Sequence, residues 1–325
     1  MALFHRLTTV SLLLCLTVVI FGAYVRLSDA GLGCPDWPSC YGQLTVPSEA
    51  EHVQRAQQNF PDRPVEHAKA WKEMIHRYLA STLGLLILGL ALLSFRAGHP
   101  RTLPRVLLAL VIFQGLLGMW TVTWLLKPLA VTGHLLGGMA TLALLFWLWL
   151  GNRSAAHAEP GAPPPRARLW AGLALALLAG QIFLGGWTSS NYAALACPDL
   201  PTCQGRLWPE LDLREAFTLW RGLDRSYEYG VLDNRSRVTI HHLHRVGALA
   251  VSAFLLAVGA WLWRGGGSWK RHGQLILVLL GAQVLIGLSL VLLQLPLPLA
   301  AAHNAGAALL LLAVTHLNHR AWSSK

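Results

Sequence analysis

The sequence predicts an all-α polytopic membrane protein: eight transmembrane helices arranged as two tandem four-helix bundles. Three observations predict it. The 325-residue chain is 54% hydrophobic and only 13% charged, against roughly 25% charged in soluble domains. Eight apolar runs are each long enough for the ~20 residues that cross a hydrocarbon core. The second four runs repeat landmarks of the first four, which gives a pseudo-two-fold axis along the membrane normal.

The runs fall at about 7–27, 74–94, 106–126, 130–150, 169–189, 239–262, 273–294 and 299–317. The first is too long, and lacks the small-residue site, for a cleavable signal peptide. Cys15 within it is a small apolar filler. Segments 28–73 and 190–238 are long and carry nearly all the acidic residues, whereas the opposite connections are short. The stretch 151–168, with Pro163-Pro164-Pro165, packs no core and is expected to be a flexible connection. It divides the chain into an N-terminal half (1–150) and a C-terminal half (169–325).

The net charge of +11 is explained by topology. With both termini cytoplasmic, the inner segments hold twelve cations, from Arg6 to Lys325, against one anion, Glu159. The other side balances at fourteen of each sign. The whole excess obeys the positive-inside rule, so no nucleic-acid partner follows from the basic pI. The long loops are then expected on the outer, periplasmic side of a cell inner membrane.

The repeat is read from paired residues. Cys34 and Cys40 recur as Cys197 and Cys203, at an offset of 163. His76 recurs as His244 at 168. Gln114 recurs as Gln283, and His134 as His303, both at 169. The paired histidines lie near the outer ends of the second, fourth, sixth and eighth runs. Facing histidines in a four-helix bundle are a standard way to hold haem, so each half is expected to clamp one iron: His76 with His134, and His244 with His303. His241 and His242 offer alternatives to His244, which alone aligns with His76 and precedes an arginine. The small residues Gly133, Gly137, Gly138, Ala301, Ala302, Ala305 and Gly306 would admit either a neighbouring helix or a flat macrocycle. His5, His52, His67, His99, His157, His272, His316 and His319 have no cofactor reading. Arg77 and Arg245 follow the aligned histidines and read either as forks for haem propionates or as snorkelling interfacial anchors.

Glu73 stands one turn before His76, on the same face, and its counterpart is His241. A carboxylate there can act as a base, activate water or stabilise a developing cation. The bland alternative is a helix-start carboxylate favoured by the macrodipole. The motif C-P-D-x-P-x-C occurs twice, at 34–40 and 197–203. In an oxidising compartment the first reading is a disulfide in each loop, Cys34–Cys40 and Cys197–Cys203. Zinc would favour a C-x₂-C spacing, and no C-x-x-C-H supports covalent haem attachment.

The combination of E-x-x-H-R at 73–77, His244-Arg245, and single histidines in the fourth and eighth runs resembles the haem A synthase family (Cox15/CtaA-type membrane enzymes), over the whole chain. The resemblance implies oxidation of the C8 methyl of haem O to formyl by successive hydroxylations, with oxygen from water. It implies Glu73 as the essential carboxylate and His76 and His134 as holders of the substrate haem. It further implies His244 and His303 as ligands of a haem b that relays electrons, haem A as product, and dealings with haem O synthase and terminal oxidase assembly factors. A cysteine pair in both loops departs from members with one pair or none. The competing reading is a dihaem b-type membrane cytochrome in quinol-linked electron transfer. A carrier is disfavoured because the polar residues cluster at the outer ends, and Leu85-Leu86-Ile87-Leu88 at mid-depth is apolar.

Overall fold

The computed structural model describes residues 2–154, 164–223 and 225–323. Residues 155–163 of the expected connection, with His157, Glu159 and Pro163, lie outside the described residues, as does Lys325. Ten helices form among the described residues: α1 (Ala2–Leu27), α2 (Ala50–Asn59), α3 (His67–Leu93), α4 (Thr102–Thr123), α5 (Pro128–Ser154), α6 (Ala167–Ser190), α7 (Leu213–Ala216), α8 (Asn234–Arg264), α9 (Trp269–Leu292) and α10 (Leu297–Ser323). All except α2 and α7 are long and apolar enough to span a membrane. No named strand forms among them.

Every expected run lies within one of these spans or overlaps it closely, but several helices start well before the apolar stretch. α3 begins seven residues before position 74, and α8 begins five before 239. Hydropathy reports only the part in hydrocarbon. The extra turns are held by other means: Asp233 caps α8 by accepting from the Ser236 amide at 2.8 Å, a typical N-cap bond. At 31 residues, α8 is roughly 46 Å long, well beyond a ~30 Å core. Its first turns therefore stand in the loop layer. Neither α2 nor α7 has an apolar run, which is why hydropathy does not find them.

α1, α3, α4 and α5 pack as one ring of neighbours, and α6, α8, α9 and α10 as another. The rings meet through α1–α10, α5–α6 and α5–α10. Exchanging each helix for its repeat partner maps this contact pattern onto itself, consistent with the tandem arrangement. One apolar core runs through both rings, including Leu83, Ile87 and Leu142 of the first and Leu178, Leu255 and Val314 of the second. Free Cys15 is buried within it.

The long loops close over one end. The turns α4–α5 and α9–α10 share a backbone signature, with positive φ at Leu125 and Leu126 and again at Gln294 and Leu295. The second loop reaches back over the first half: Tyr227 N–H donates to the Leu125 carbonyl at 2.9 Å. Buried Lys127 donates to the Gly222 carbonyl at 2.5 Å and sits 3.1 Å from the Trp220 ring centroid. Arg63 pairs with Glu228 at 2.9 Å. These contacts fix the loop layer above both helix rings.

Candidate functional site

Each half brings its paired histidines together inside the ring. His76 on α3 and His134 on α5 face each other with ring centroids 6.4 Å apart and planes at 82°. His244 lies on α8 and His303 on α10, near enough for the two to interact electrostatically. A glycine on a neighbouring helix presses against each imidazole. A Cβ on Gly22 would meet His76 Cε1 at 2.7 Å, on Gly118 His134 Cε1 at 3.4 Å, on Gly185 His244 Cε1 at 3.2 Å, and on Gly287 His303 Cε1 at 3.1 Å. Gly22 recurs as Gly185 at offset 163 and Gly118 as Gly287 at 169. Sequence reasoning overlooked these four glycines, although the repeat offsets would have exposed them.

Conserving the register matters as much as the ring. Gln114 on α4 donates to the His134 carbonyl at 2.9 Å, and Gln283 on α9 donates to the His303 carbonyl at 3.0 Å. Gly137 and Gly306 therefore serve helix approach: a Cβ on Gly137 would strike Gln114 at 2.7 Å, and one on Gly306 would strike Gln283. The second half adds Gln181, whose amide nitrogen lies 3.0 Å from both His244 Nδ1 and the His244 carbonyl. Its counterpart in the first half is Val18, so the repeat carried no hint of it.

Two observations bear on whether these histidines could hold an iron. Two metal–imidazole bonds of about 2 Å, with the ring radii added, separate centroids by ~6 Å, which matches the His76–His134 pair. The Nδ1 atoms of His76, His134 and His303 are buried with no hydrogen-bond partner, an expensive state for polar atoms that serve only packing. The spacing of the first pair suits one iron between two imidazoles, whereas in the second half Gln181 lies 3.0 Å from His244 Nδ1 and Gln283 3.4 Å from His303 Nε2.

Glu73 is the seventh residue of α3 and only 5% exposed. It lies beyond the first turn, where a dipole effect fades, so the helix-start explanation loses its basis. Its Oε2 accepts from the Cys34 amide at 2.9 Å, and its Oε1 accepts from Arg77 at 2.5 Å. His241 occupies the same place in the second half: its Nδ1 lies 3.2 Å from the Cys197 amide and its Nε2 3.3 Å from Arg245 Nε. The acid and the imidazole thus face the matching loop amide and arginine, although a neutral imidazole accepts at one nitrogen where the carboxylate accepts at both oxygens. His242 is buried beside Trp208, with ring centroids 4.8 Å apart.

Both cysteine motifs close as disulfides, with Cα–Cα distances of 4.8 Å for Cys34–Cys40 and 4.5 Å for Cys197–Cys203. Their aspartates organise the turns. Asp36 accepts from Ser39 Oγ at 2.5 Å and from the Tyr41 and Gly42 amides at 2.6 and 2.8 Å. Asp199 accepts from Thr202 Oγ1 and from the Gln204 and Gly205 amides at 2.7 and 2.9 Å. The Thr202 hydroxyl and these amides lower the Asp199 carboxyl to about 2. Burial, with Glu66 nearby, pushes the Tyr41 phenol up to about 12. The arginines brace the loops: Arg77 donates to the Ser39 carbonyl at 2.6 Å, and Arg245 to the Asp199 and Thr202 carbonyls at 2.8 and 2.9 Å.

Comparison with known proteins agrees with this architecture. The family model COX15-CtaA, described as "Cytochrome oxidase assembly protein", matches residues 5–315. A Shewanella oneidensis protein named "Heme A synthase" is 45% identical over 97% of this chain and 96% of its own length. Proteins of the same name from Sinorhizobium fredii and Caulobacter vibrioides are 30% and 29% identical, each covering 92% of this chain and 84% and 90% of their own lengths. By that match and these relatives, the chain belongs to the COX15-CtaA family of cytochrome oxidase assembly proteins.

Proposed function

We propose that the protein is a haem A synthase, an oxidoreductase that converts the C8 methyl of haem O to the formyl of haem A by successive hydroxylations, with water as oxygen source. The observation that carries this reading is a buried carboxylate on one side only. Glu73 stands one turn from His76, whereas the second half places neutral-capable His241 at the matching position.

In this reading the N-terminal half (1–150) takes the substrate. His76 and His134 hold haem O, and the glycine contacts at Gly22 and Gly118 keep the two imidazoles in line. Glu73 lies on the same helix face as His76. It accepts a proton as the methyl carbon is oxidised, or stabilises positive charge developing there. Arg77 holds that carboxylate and contributes a fixed positive charge at the substrate's edge. The C-terminal half (169–325) holds haem b through His244 and His303, with Arg245 at its edge. Bound haem b supplies a one-electron carrier for the electrons released by the oxidation. Gln181 restrains α8 at His244 by donating to the His244 carbonyl, a restraint the substrate site lacks at Val18. That difference suits a fixed cofactor in one half and an exchanging substrate in the other.

In this reading, which the positive-inside bias supports, the loop layer and both haem sites lie on the periplasmic side of the cell inner membrane, with the termini in the cytoplasm. Haem O synthase would deliver substrate, and terminal oxidase assembly factors would take the product. The second reading, a dihaem b-type cytochrome, draws on the equivalence of the Glu73 and His241 loop contacts, which gives both residues a structural task. Replacing Glu73→Gln and extracting pigment decides between them. The synthase reading predicts accumulated haem O with the haem content and low-spin spectrum retained. Wild-type haem A yield in that variant supports the cytochrome.

A further inference from the structure

We propose that the disulfide-closed loop 34–40, acting through the Cys34 amide and Arg77, is the positioning apparatus of Glu73. The inference rests on the synthase reading above and names how that site is set. Three connections form a closed circuit. The Cys34 amide donates to Glu73 Oε2 at 2.9 Å. Arg77 donates to Glu73 Oε1 at 2.5 Å. The same guanidinium donates to the Ser39 carbonyl at 2.6 Å and to the Pro38 carbonyl at 3.2 Å. The Cys34–Cys40 bond closes the loop that carries all three of these backbone groups.

Both carboxylate oxygens are therefore tied to one loop, from two directions. Charge-assisted bonds of this kind carry geometric specificity. α3 alone leaves the Glu73 side chain free to rotate about its torsions, but the circuit leaves it one orientation. Gly33, next to Cys34, lets the loop reach this depth. A Cβ there would meet the Lys69 carbonyl carbon at 2.6 Å and the Ala70 nitrogen at 2.7 Å. The loop backbone thus lies directly on the α3 backbone one turn before Glu73.

The second half shows that the circuit is a device and no accident of one loop. Cys197, Arg245 and the carbonyls of Asp199 and Thr202 surround His241 in the same way, but a neutral imidazole accepts at one ring nitrogen only, so one of the two donors is left without its acceptor there. What changes between the halves is the residue being gripped. The loops hold position; the gripped side chain decides whether an acid stands beside the haem.

The test uses purified full-length protein loaded with haem and compares Arg77→Lys, the double variant Cys34→Ser/Cys40→Ser, and Glu73→Gln. Three quantities are read: the low-spin iron signal, haem O turnover, and the infrared carboxylate band that vanishes in Glu73→Gln. Misplacement of a reacting group by about 1 Å can cost on the order of 100-fold. Arg77→Lys and the double cysteine variant should keep the iron signal, lose turnover by about 10- to 100-fold, and shift the Glu73 band. Unchanged turnover and band in both variants would overturn the proposal. Loss of the iron signal in both would also overturn it, since the loop would then be a clamp for the whole site. If Glu73→Gln itself turns over haem O at the wild-type rate, the catalytic reading fails, while a shifted band in Arg77→Lys would still show positioning.

Discussion

Gly22→Ala tests whether the histidine pair is held by helix approach. A Cβ at this position would lie 2.7 Å from His76 Cε1. Carbon atoms normally meet at about 3.5–4.0 Å, so the overlap is roughly 1 Å. The imidazole is rigid and is packed between α1 and α5, so the ring or a helix must move. Overpacking of this size costs about 1–3 kcal/mol. Charged to haem binding, that is a roughly 5- to 150-fold loss of affinity in the first half. The other three glycines calibrate the effect. Gly287→Ala and Gly185→Ala, at 3.1 and 3.2 Å, should give smaller losses confined to the second half. Gly118→Ala, at 3.4 Å, is ordinary contact, and the gain of up to ~1 kcal/mol in helix propensity makes it neutral or stabilising. The assay is haem content per chain, with the low-spin signal resolved for each site. A Gly22→Ala protein with a full complement of low-spin haem, or one in which Gly118→Ala does more damage than Gly22→Ala, would refute the reasoning.

Other consequences can be checked with simpler assays. Removing the α8 cap by Asp233→Ala loses a side-chain bond of 2.8 Å and should cost about 1 kcal/mol, seen as a lower thermal midpoint in detergent. Lys127→Ala removes the amino group that joins Gly222 and Trp220, so limited proteolysis should cut the 218–230 loop faster while the helices stay intact. The Asp199 carboxyl is held at about 2, below its ordinary 3.8. A depressed carboxyl contributes stability above its unfolded value and loses it as pH falls through the folded one. The 197–206 turn should therefore hold above pH ~4 and loosen between about 4 and 2, as followed by amide exchange, and Asp199→Asn should flatten that transition.

Much of this molecule could be read from the chain because a membrane restricts the choices. Eight spans follow from hydropathy, since a span must satisfy its backbone groups internally and continuous apolar runs of about 20 residues do so as helices. The duplication then made each feature checkable twice, which is how His76, His134, His244 and His303 stood out among fourteen histidines. The disulfide loops were legible from two prolines and an aspartate at fixed spacing. What escaped depended on depth and on neighbours. Hydropathy put Glu73 near a helix start, although the helix runs two turns further because loop packing, and no apolar stretch, supports it. The match between Glu73 and His241 was visible as alignment, but their common bonds to Cys34 and Cys197 needed coordinates. Gln181 had no counterpart to draw attention to it. Lys127 carries no motif that singles it out, and its bond to Gly222 comes from a loop of the other half, more than ninety residues away.

One pigment measurement reaches the centre of the account. Pyridine haemochrome analysis and low-temperature electron paramagnetic resonance would be run on the wild type, His76→Ala and His303→Ala. Two bis-imidazole sites predict haem b together with haem O or A in the wild type. His76→Ala should lose only the O/A-type pigment and His303→Ala only haem b, each with its own low-spin signal. A single haem in the wild type, or the same pigment lost from both variants, would contradict one iron per half.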